Sequence, residues 1–64
     1  MSNLEIEMLY ASEKLCVGAK VLIFGYTVEI VSIYRDYKNE LVIRYKDEHD
    51  CALKSYAKRI EEVL

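Results

Sequence analysis

The chain has 64 residues and a mass of 7.5 kDa, which leaves room for one small domain. Hydrophobic residues make up 53% and charged residues 31%, which excludes a disordered tail, and no apolar run approaches the ~20 residues of a membrane span. A net charge of −2 argues against a general nucleic-acid coat, and two cysteines are too few for a disulfide scaffold. We therefore expect a small cytoplasmic domain that does not associate with membranes.

The N-terminal segment is predicted to form a helix. Ser2 and Glu5 have the spacing of a capping box, in which a hydroxyl and a carboxylate satisfy free backbone amides. Gly18 follows where a left-handed residue is expected to end the helix. Ile6 and Leu9 widen the apolar side of the segment. The stripe expected to face the core recurs at helical spacing and consists of Leu4, Met8, Ala11 and Leu15.

From Lys20 onward the sequence changes to β-branched and aromatic residues, which are typical of strands. Residues 21–24 are apolar on both faces, and Gly25 with Tyr26 makes a short break. Two further strands are predicted at residues 27–35 and 40–45. Polar residues after each of them predict turns at 36–39 and 46–49.

In the longest predicted strand, residues 27–35, the apolar residues change from even to odd positions midway. Val28 and Ile30 share one parity, whereas Val31 and Ile33 share the other. Because a regular strand cannot bury both pairs on one face, the switch predicts a bulge or sharp bend near Ile30 and Val31.

The C-terminal segment, residues 50–64, fits two structures. Cys51 and Leu53 alternate as in a strand, and Glu61 and Glu62 would oppose the dipole of a terminal helix. We favour a short strand, one helical turn and a last strand over a helix. The helical alternative depends on a stripe formed by Leu53, Tyr56, Ala57, Ile60 and Leu64.

The opening Val-Gly-Ala-Lys-Val at 17–21, the break at Gly25, the long bent strand and the Arg-Tyr-Lys-Asp turn at 44–47 resemble a small SH3-like barrel of the KOW and Tudor type. The resemblance implies a mostly β fold. It would have about five antiparallel strands over residues 17–64, with residues 1–16 as an N-terminal helix or arm. The alternative is an α+β fold with a three-stranded meander and two helices. The resemblance implies a general role as a binding module. It does not identify the ligand, because the chain has no tryptophan for the aromatic cage of Tudor-type domains.

Residues that could carry chemistry are few. His49 could act as a base toward Cys16 or Cys51, but it lies in a charged turn and is expected to be a solvated histidine. Cys16, Cys51 and His49 give at most three ligands, whereas a tetrahedral zinc site needs four. We expect reduced, partly buried thiols, no catalytic, metal or cofactor-binding residues, and no enzymatic activity.

Tyrosines and cations alternate around the 36–39 turn. Seven of the nine Lys and Arg residues lie between positions 35 and 59. Such a pattern is typical of a protein-binding hot spot and also of base stacking, although tyrosines suit strands by propensity alone. Interspersed carboxylates would repel phosphate, so we expect a protein partner ahead of nucleic acid. The predicted partner-binding residues are Tyr34, Arg35, Tyr37, Lys38, Arg44 and Tyr45.

The predicted function is a non-enzymatic protein-binding module. The small size resembles accessory proteins of phages and other mobile elements, which implies an inhibitor or modulator of a host protein. The alternative function is that of a nucleic-acid-associated small barrel. Self-association through exposed strand edges is a separate expectation.

Overall fold

The computed structural model describes residues 1–64. All five strands pair antiparallel in one sheet, in the order β4-β3-β2-β1-β5. The chain is therefore mostly β with an N-terminal helix, and no helix has the length and apolar content needed to cross a membrane. The elements are α1 (Asn3–Ala11), β1 (Lys20–Ile23), β2 (Tyr26–Arg35), β3 (Leu41–Lys46), β4 (Ala52–Tyr56), a 3-10 turn (Ala57–Arg59) and β5 (Ile60–Val63).

The C-terminal segment forms a strand, a helical turn and a strand. This confirms the favoured prediction and excludes the α+β alternative with a second α-helix. Ala57 is fully buried in the turn, and Ile60 begins the strand that pairs with β1. The turn therefore carries the chain from one edge of the sheet to the other.

The sheet is not closed into a barrel, which corrects the closed architecture that the resemblance implied. β4 and β5 form the two edges, and no backbone ladder joins them. The physical reason is that the chain passes from β4 to β5 through the 3-10 turn, and β5 pairs with β1 alone. Both edges keep unpaired backbone groups.

β2 contains the predicted bulge. Ile30 lies opposite Tyr45 and Ser32 lies opposite Arg44, which leaves Val31 as the extra residue on this strand. Val31 is exposed, and Ile33 beyond it packs against the core. The parity switch in the sequence is thus confirmed as a bulge that keeps both halves of the strand in contact with one core.

The capping box at the start of α1 is confirmed. The Ser2 hydroxyl accepts a hydrogen bond from the Glu5 amide at 3.2 Å, and the Glu5 carboxylate accepts one from the Ser2 amide at 3.3 Å. The helix ends earlier than predicted, because Glu13 takes the left-handed conformation with φ 63°. The Lys14 amide then donates to the Leu9 carbonyl at 3.0 Å. Gly18, with φ 92°, belongs to the later turn before β1.

The predicted buried stripe is wrong for Leu4, Met8 and Ala11, which are exposed, and is confirmed only for Leu15, which is fully buried. Leu4 and Met8 are 70% and 64% exposed, whereas Ile6 is 2% exposed. The helix packs its Ile6 and Leu9 side against the core, which leaves Leu4 and Met8 in solvent. Beside it the Glu7 carboxylate forms a bidentate pair with Arg35, with oxygen–nitrogen distances of 2.8 and 3.0 Å.

The core lies between one face of the curled sheet and α1. Leu15 enters it from the loop after the helix, and the rest comes from the helix, the strands and the 3-10 turn. The opposite face of β2, β3 and β4 has no covering element and is free to present side chains. The core cluster contains Ile6, Leu15, Val21, Ile23, Val28, Ile30, Leu41, Ile43, Tyr45, Ala57 and Ile60.

Candidate protein-binding surface

Two rows of side chains cross the uncovered face of β2, β3 and β4. In the first row Val42 lies opposite Tyr34 on one side and Tyr56 on the other. In the second row Arg44 lies opposite Ser32 and Lys54. We call the two rows together with Tyr37 the tyrosine surface: Ser32, Tyr34, Tyr37, Val42, Arg44, Lys54 and Tyr56.

The first row forms the floor of an open groove. Val42 is only 7% exposed although it lies outside the core cluster, because its two cross-strand neighbours are tyrosines. The groove has a volume of about 480 Å³, and Asp36, Tyr37 and Lys54 also line it. An apolar floor with aromatic walls and charged rims is the anatomy of a protein-binding hot spot.

Tyr37 is held away from the sheet by a rigid turn. The Asp36 carboxylate accepts hydrogen bonds from the amides of Lys38 at 2.9 Å and Glu40 at 3.0 Å. Asn39 supplies the left-handed residue, with φ 66°. The Tyr37 side chain is consequently 89% exposed while its backbone is fixed, so a partner could bind it with little loss of backbone freedom.

Cations lie beside the tyrosine rings. The Arg44 guanidinium is 5.9 Å from the centre of the Tyr34 ring, and the Lys38 ammonium is 5.6 Å from that of Tyr37. The Lys58 ammonium lies 5.1 Å from the ring of Tyr56 and also 3.7 Å from a carboxylate oxygen of Glu40. These distances are within the range of cation–π attraction.

The electrostatics of the groove differ between its ends. The pKa of Tyr56 is raised above its ordinary value, first by the nearby Asp36 carboxylate and then by burial and by Glu40. The raised pKa thus reports negative charge from Asp36 and Glu40 at this end of the groove. At the other end of the groove Arg44 and Lys54 supply positive charge.

The structure separates the six predicted site residues into two groups. Tyr34 and Arg44 project from the outer face, and Tyr37 and Lys38 lie in the adjoining turn. Arg35 and Tyr45 belong to the opposite face: Arg35 binds the helix, and Tyr45 is buried in the core. Burial also raises the pKa of Tyr45 above 10.0, with Asp47 as a second cause.

Sequence reasoning missed the contribution of β4. Tyr56 and Lys54 reach the surface only because β4 pairs with β3. Counting outward from the predicted turn at 46–49 would put position 42 opposite 53, whereas the loop spans residues 47–51 and Val42 lies opposite Tyr56. The ambiguity of the C-terminal segment hid this register.

Another apolar groove, of about 400 Å³, lies at the opposite end of β2. Phe24 and Tyr26 project from the β1–β2 hairpin, Leu53 projects from β4, and all three are exposed. His49 lies on the rim, with its exposed imidazole 3.6 Å from the Glu48 carboxylate. The exposed Leu4 and Met8 on α1 form a third, smaller apolar area.

The thiols differ from the prediction. Cys16 and Cys51 are free as expected, but both are exposed rather than partly buried. The reason is that each lies in a connecting loop and not in the sheet. No group of three or more His, Cys, Asp or Glu side chains is placed to hold a metal ion.

Comparisons with known proteins provide no relative from which to transfer a function. No protein-family model matches the chain, and no curated protein or solved structure matches it either. What the tyrosine surface can bind is therefore inferred from its own geometry and charge.

Proposed function

We propose that this chain is a non-enzymatic protein-binding module and that the tyrosine surface binds its partner. The single observation that carries the proposal is the row Tyr34–Val42–Tyr56 on a sheet face that no other element covers. Exposed aromatic rings around an apolar floor cost solubility and contribute nothing to the core. Tyrosine with arginine is the pair most enriched at binding hot spots.

The strand order supports the resemblance to small SH3-like domains. β1 to β4 form a meander, a 3-10 turn follows, and β5 returns to pair with β1. In the proposed scheme the open sheet is a rigid platform, and the module works by presenting the outer face of β2, β3 and β4.

The small size supports a further part of the proposal, namely that the module acts as a phage-type inhibitor or modulator of a host protein. Such a protein needs a stable platform and one binding surface. The 64 residues of this chain suffice for both.

Affinity capture with matched variants tests the proposed function. We would place the tag at the C-terminus, because the Met1 amine donates a hydrogen bond to the Ile60 carbonyl at 2.8 Å. Wild type, Tyr37→Ala and Met8→Ala would be compared by mass spectrometry of the captured proteins. We expect a stoichiometric protein partner whose recovery falls about tenfold or more with Tyr37→Ala, as for an interface hot spot, and is unchanged with Met8→Ala.

Both substitutions remove an exposed side chain, so circular dichroism should show folded protein in each case. A partner recovered equally by wild type and Tyr37→Ala would contradict the assignment to the tyrosine surface. Recovery of no protein above the tag alone would contradict the protein-binding function itself.

The specific observation that favours a second function, nucleic-acid binding, is the closeness of Arg44 to the Tyr34 ring. Stacking rings with adjacent cations bind single strands. Gel-shift assays at low and high salt distinguish the two functions, since phosphate binding weakens steeply as salt is added.

A further inference from the structure

Arg44 and Lys54 form a like-charge pair between β3 and the edge strand β4. They lie directly opposite each other on β3 and β4, with both side chains on the outer face. Like charges in this arrangement destabilise a sheet. Neither residue takes part in any of the four ion pairs of the structure. Arg44 lies beside the Tyr34 ring and Lys54 is on an edge strand, but the two facing cations have no counter-ion within the chain.

Three other cations of the sheet and its turns have carboxylate partners within the chain: Lys46 pairs with Asp50, Arg35 with Glu7, and Lys58 with Glu40. The carboxylate of Asp36 is occupied by two turn amides. The second row of the tyrosine surface is therefore a local positive region on a chain whose net charge is −2.

The two rows match the repeat of an extended peptide. Val42 and Arg44 are two residues apart on β3, so the apolar row and the cationic row are about 7 Å apart. Alternate side chains of an extended partner segment have the same separation of about 7 Å. An acidic side chain would meet Arg44 and Lys54 while the side chain two positions away enters the groove beside Val42.

The chemistry of the second row suits a carboxylate. A guanidinium binds a carboxylate with two parallel hydrogen bonds, and the facing ammonium of Lys54 adds a further donor. Binding would also remove the repulsion between the two cations. A long polyphosphate fits less well, because Asp36 and Glu40 lie at the far end of the groove and Tyr56 is close enough to them for its pKa to be raised.

We propose that the tyrosine surface binds an extended acidic segment of a partner protein, with acidic and apolar side chains at alternate positions and the carboxylates held by Arg44 and Lys54. This inference rests on the proposed function, since it names the partner chemistry of the same surface. It predicts that the two facing cations lower the free energy of unfolding of the free module and that the same cations contribute to the free energy of binding.

A titration of the isotope-labelled full chain, followed by NMR, tests the proposal. The probe is a short capped peptide of alternating glutamate and leucine, with a lysine–leucine peptide and a mixed-sequence single-stranded oligonucleotide as comparisons. We expect saturable shifts of amide signals in β3 and β4 with the glutamate peptide alone, weakened by added salt.

Charge reversal provides the decisive variant. Lys54→Glu should weaken binding of the glutamate peptide at least about tenfold while raising the melting temperature by about 2–4 °C, because the cross-strand repulsion becomes an attraction. Lys14→Glu, the same charge change at an exposed loop position, should leave peptide binding unchanged.

Absence of saturable binding by the glutamate peptide, or equal binding by wild type and Lys54→Glu, would overturn the proposal. Tighter binding of the oligonucleotide at the same residues would overturn it in favour of nucleic acid. A captured partner that depends on Tyr37 and is indifferent to Lys54→Glu would overturn it while leaving the proposed function intact.

Discussion

At the scale of single residues, the tip of the β1–β2 hairpin carries backbone strain. Phe24 and Gly25 both have positive φ, 50° and 80°, and Ile23 pairs directly with Tyr26. This is a two-residue turn of the type that strongly prefers Asn-Gly. A bulky aromatic residue is rarely left-handed, and the Phe24 ring is more than half exposed, so burial of the ring recovers little of the cost.

Replacing Phe24 by asparagine should stabilise the protein. We expect Phe24→Asn to raise the free energy of unfolding by about 0.5–1 kcal/mol, because asparagine tolerates the left-handed conformation. Urea denaturation measures the change. Phe24→Ala is the matched control: it removes the ring and keeps the conformational cost, so it should give no such gain. Lower stability of the asparagine variant than of the alanine variant would show that the strain account is wrong.

At the scale of elements, α1 contributes mainly through the side chain of Ile6. The helix has only nine residues and would be marginal alone, so it depends on packing against the sheet. Glu7 also pairs with Arg35 of β2, and the Met1 amine donates a hydrogen bond to the Ile60 carbonyl at the start of β5. The apolar residues Leu4 and Met8 face solvent.

Alanine substitutions on the two sides of α1 should have very different effects. Ile6→Ala should lower the free energy of unfolding by about 2–4 kcal/mol, since it leaves a cavity in the core. Leu4→Ala should change it by no more than about 0.5 kcal/mol. Thermal unfolding followed by circular dichroism makes the comparison. Similar losses for both variants would mean that the helix packs through the Leu4 side instead.

At the scale of the whole molecule, stability should form a plateau across neutral pH. Hydrogen bonds from Arg35 lower the pKa of Glu7 below 4.5, and those from Ser2 do the same for Glu5. With a lowered folded pKa the unfolded chain takes up protons first as the pH falls. These carboxylates therefore stabilise the fold fully above about pH 5.5, and their contribution begins to fall near pH 4.5 and is lost as the pH passes through the lowered folded pKa.

The plateau should end in alkali for the opposite reason. Burial raises the pKa of Tyr45 above 10.0, so above about pH 10 the unfolded chain loses the phenolic proton first and stability falls. Melting temperatures measured from acid to alkali test both limits. Glu7→Gln should reduce the fall in melting temperature at acid pH, and Tyr45→Phe should reduce the fall at alkaline pH. Part of the alkaline fall should remain in Tyr45→Phe, because the pKa of Tyr56 is also raised. If melting temperature falls as steeply at acid pH in Glu7→Gln as in the wild type, the role of the Glu7–Arg35 pair is contradicted.

Residue patterns within short segments of the sequence were sufficient to predict much of the fold. The Ser2 capping box, the bulge at Val31 and the short C-terminal strands depend on neighbouring residues, and the structure confirms them. Each reflects an interaction within one element or a change of parity along one strand, which can be read along the chain.

The candidate surface was only half predictable. Tyr34 and Arg44 lie on one face because the bulge and the turn fix the pairing of β2 with β3. Arg35 and Tyr45 are also an arginine and a tyrosine, but each is one position away from an outer-face residue of its strand. Because side chains alternate between the two faces, both lie on the core side. Tyr56 and Lys54 join the surface through a contact between distant parts of the chain.

The amino-acid sequence by itself predicted the helix, most strands and the turns, because capping, parity and turn chemistry act over a few residues. It placed the end of α1 too late and left the C-terminal segment open between a helix and two strands. The tertiary structure alone decided that the sheet stays open, that Ile6 rather than Leu4 is buried, and that Arg44 meets Lys54. These outcomes depend on pairing and packing between residues far apart along the chain, and such contacts leave no periodic trace in any one segment.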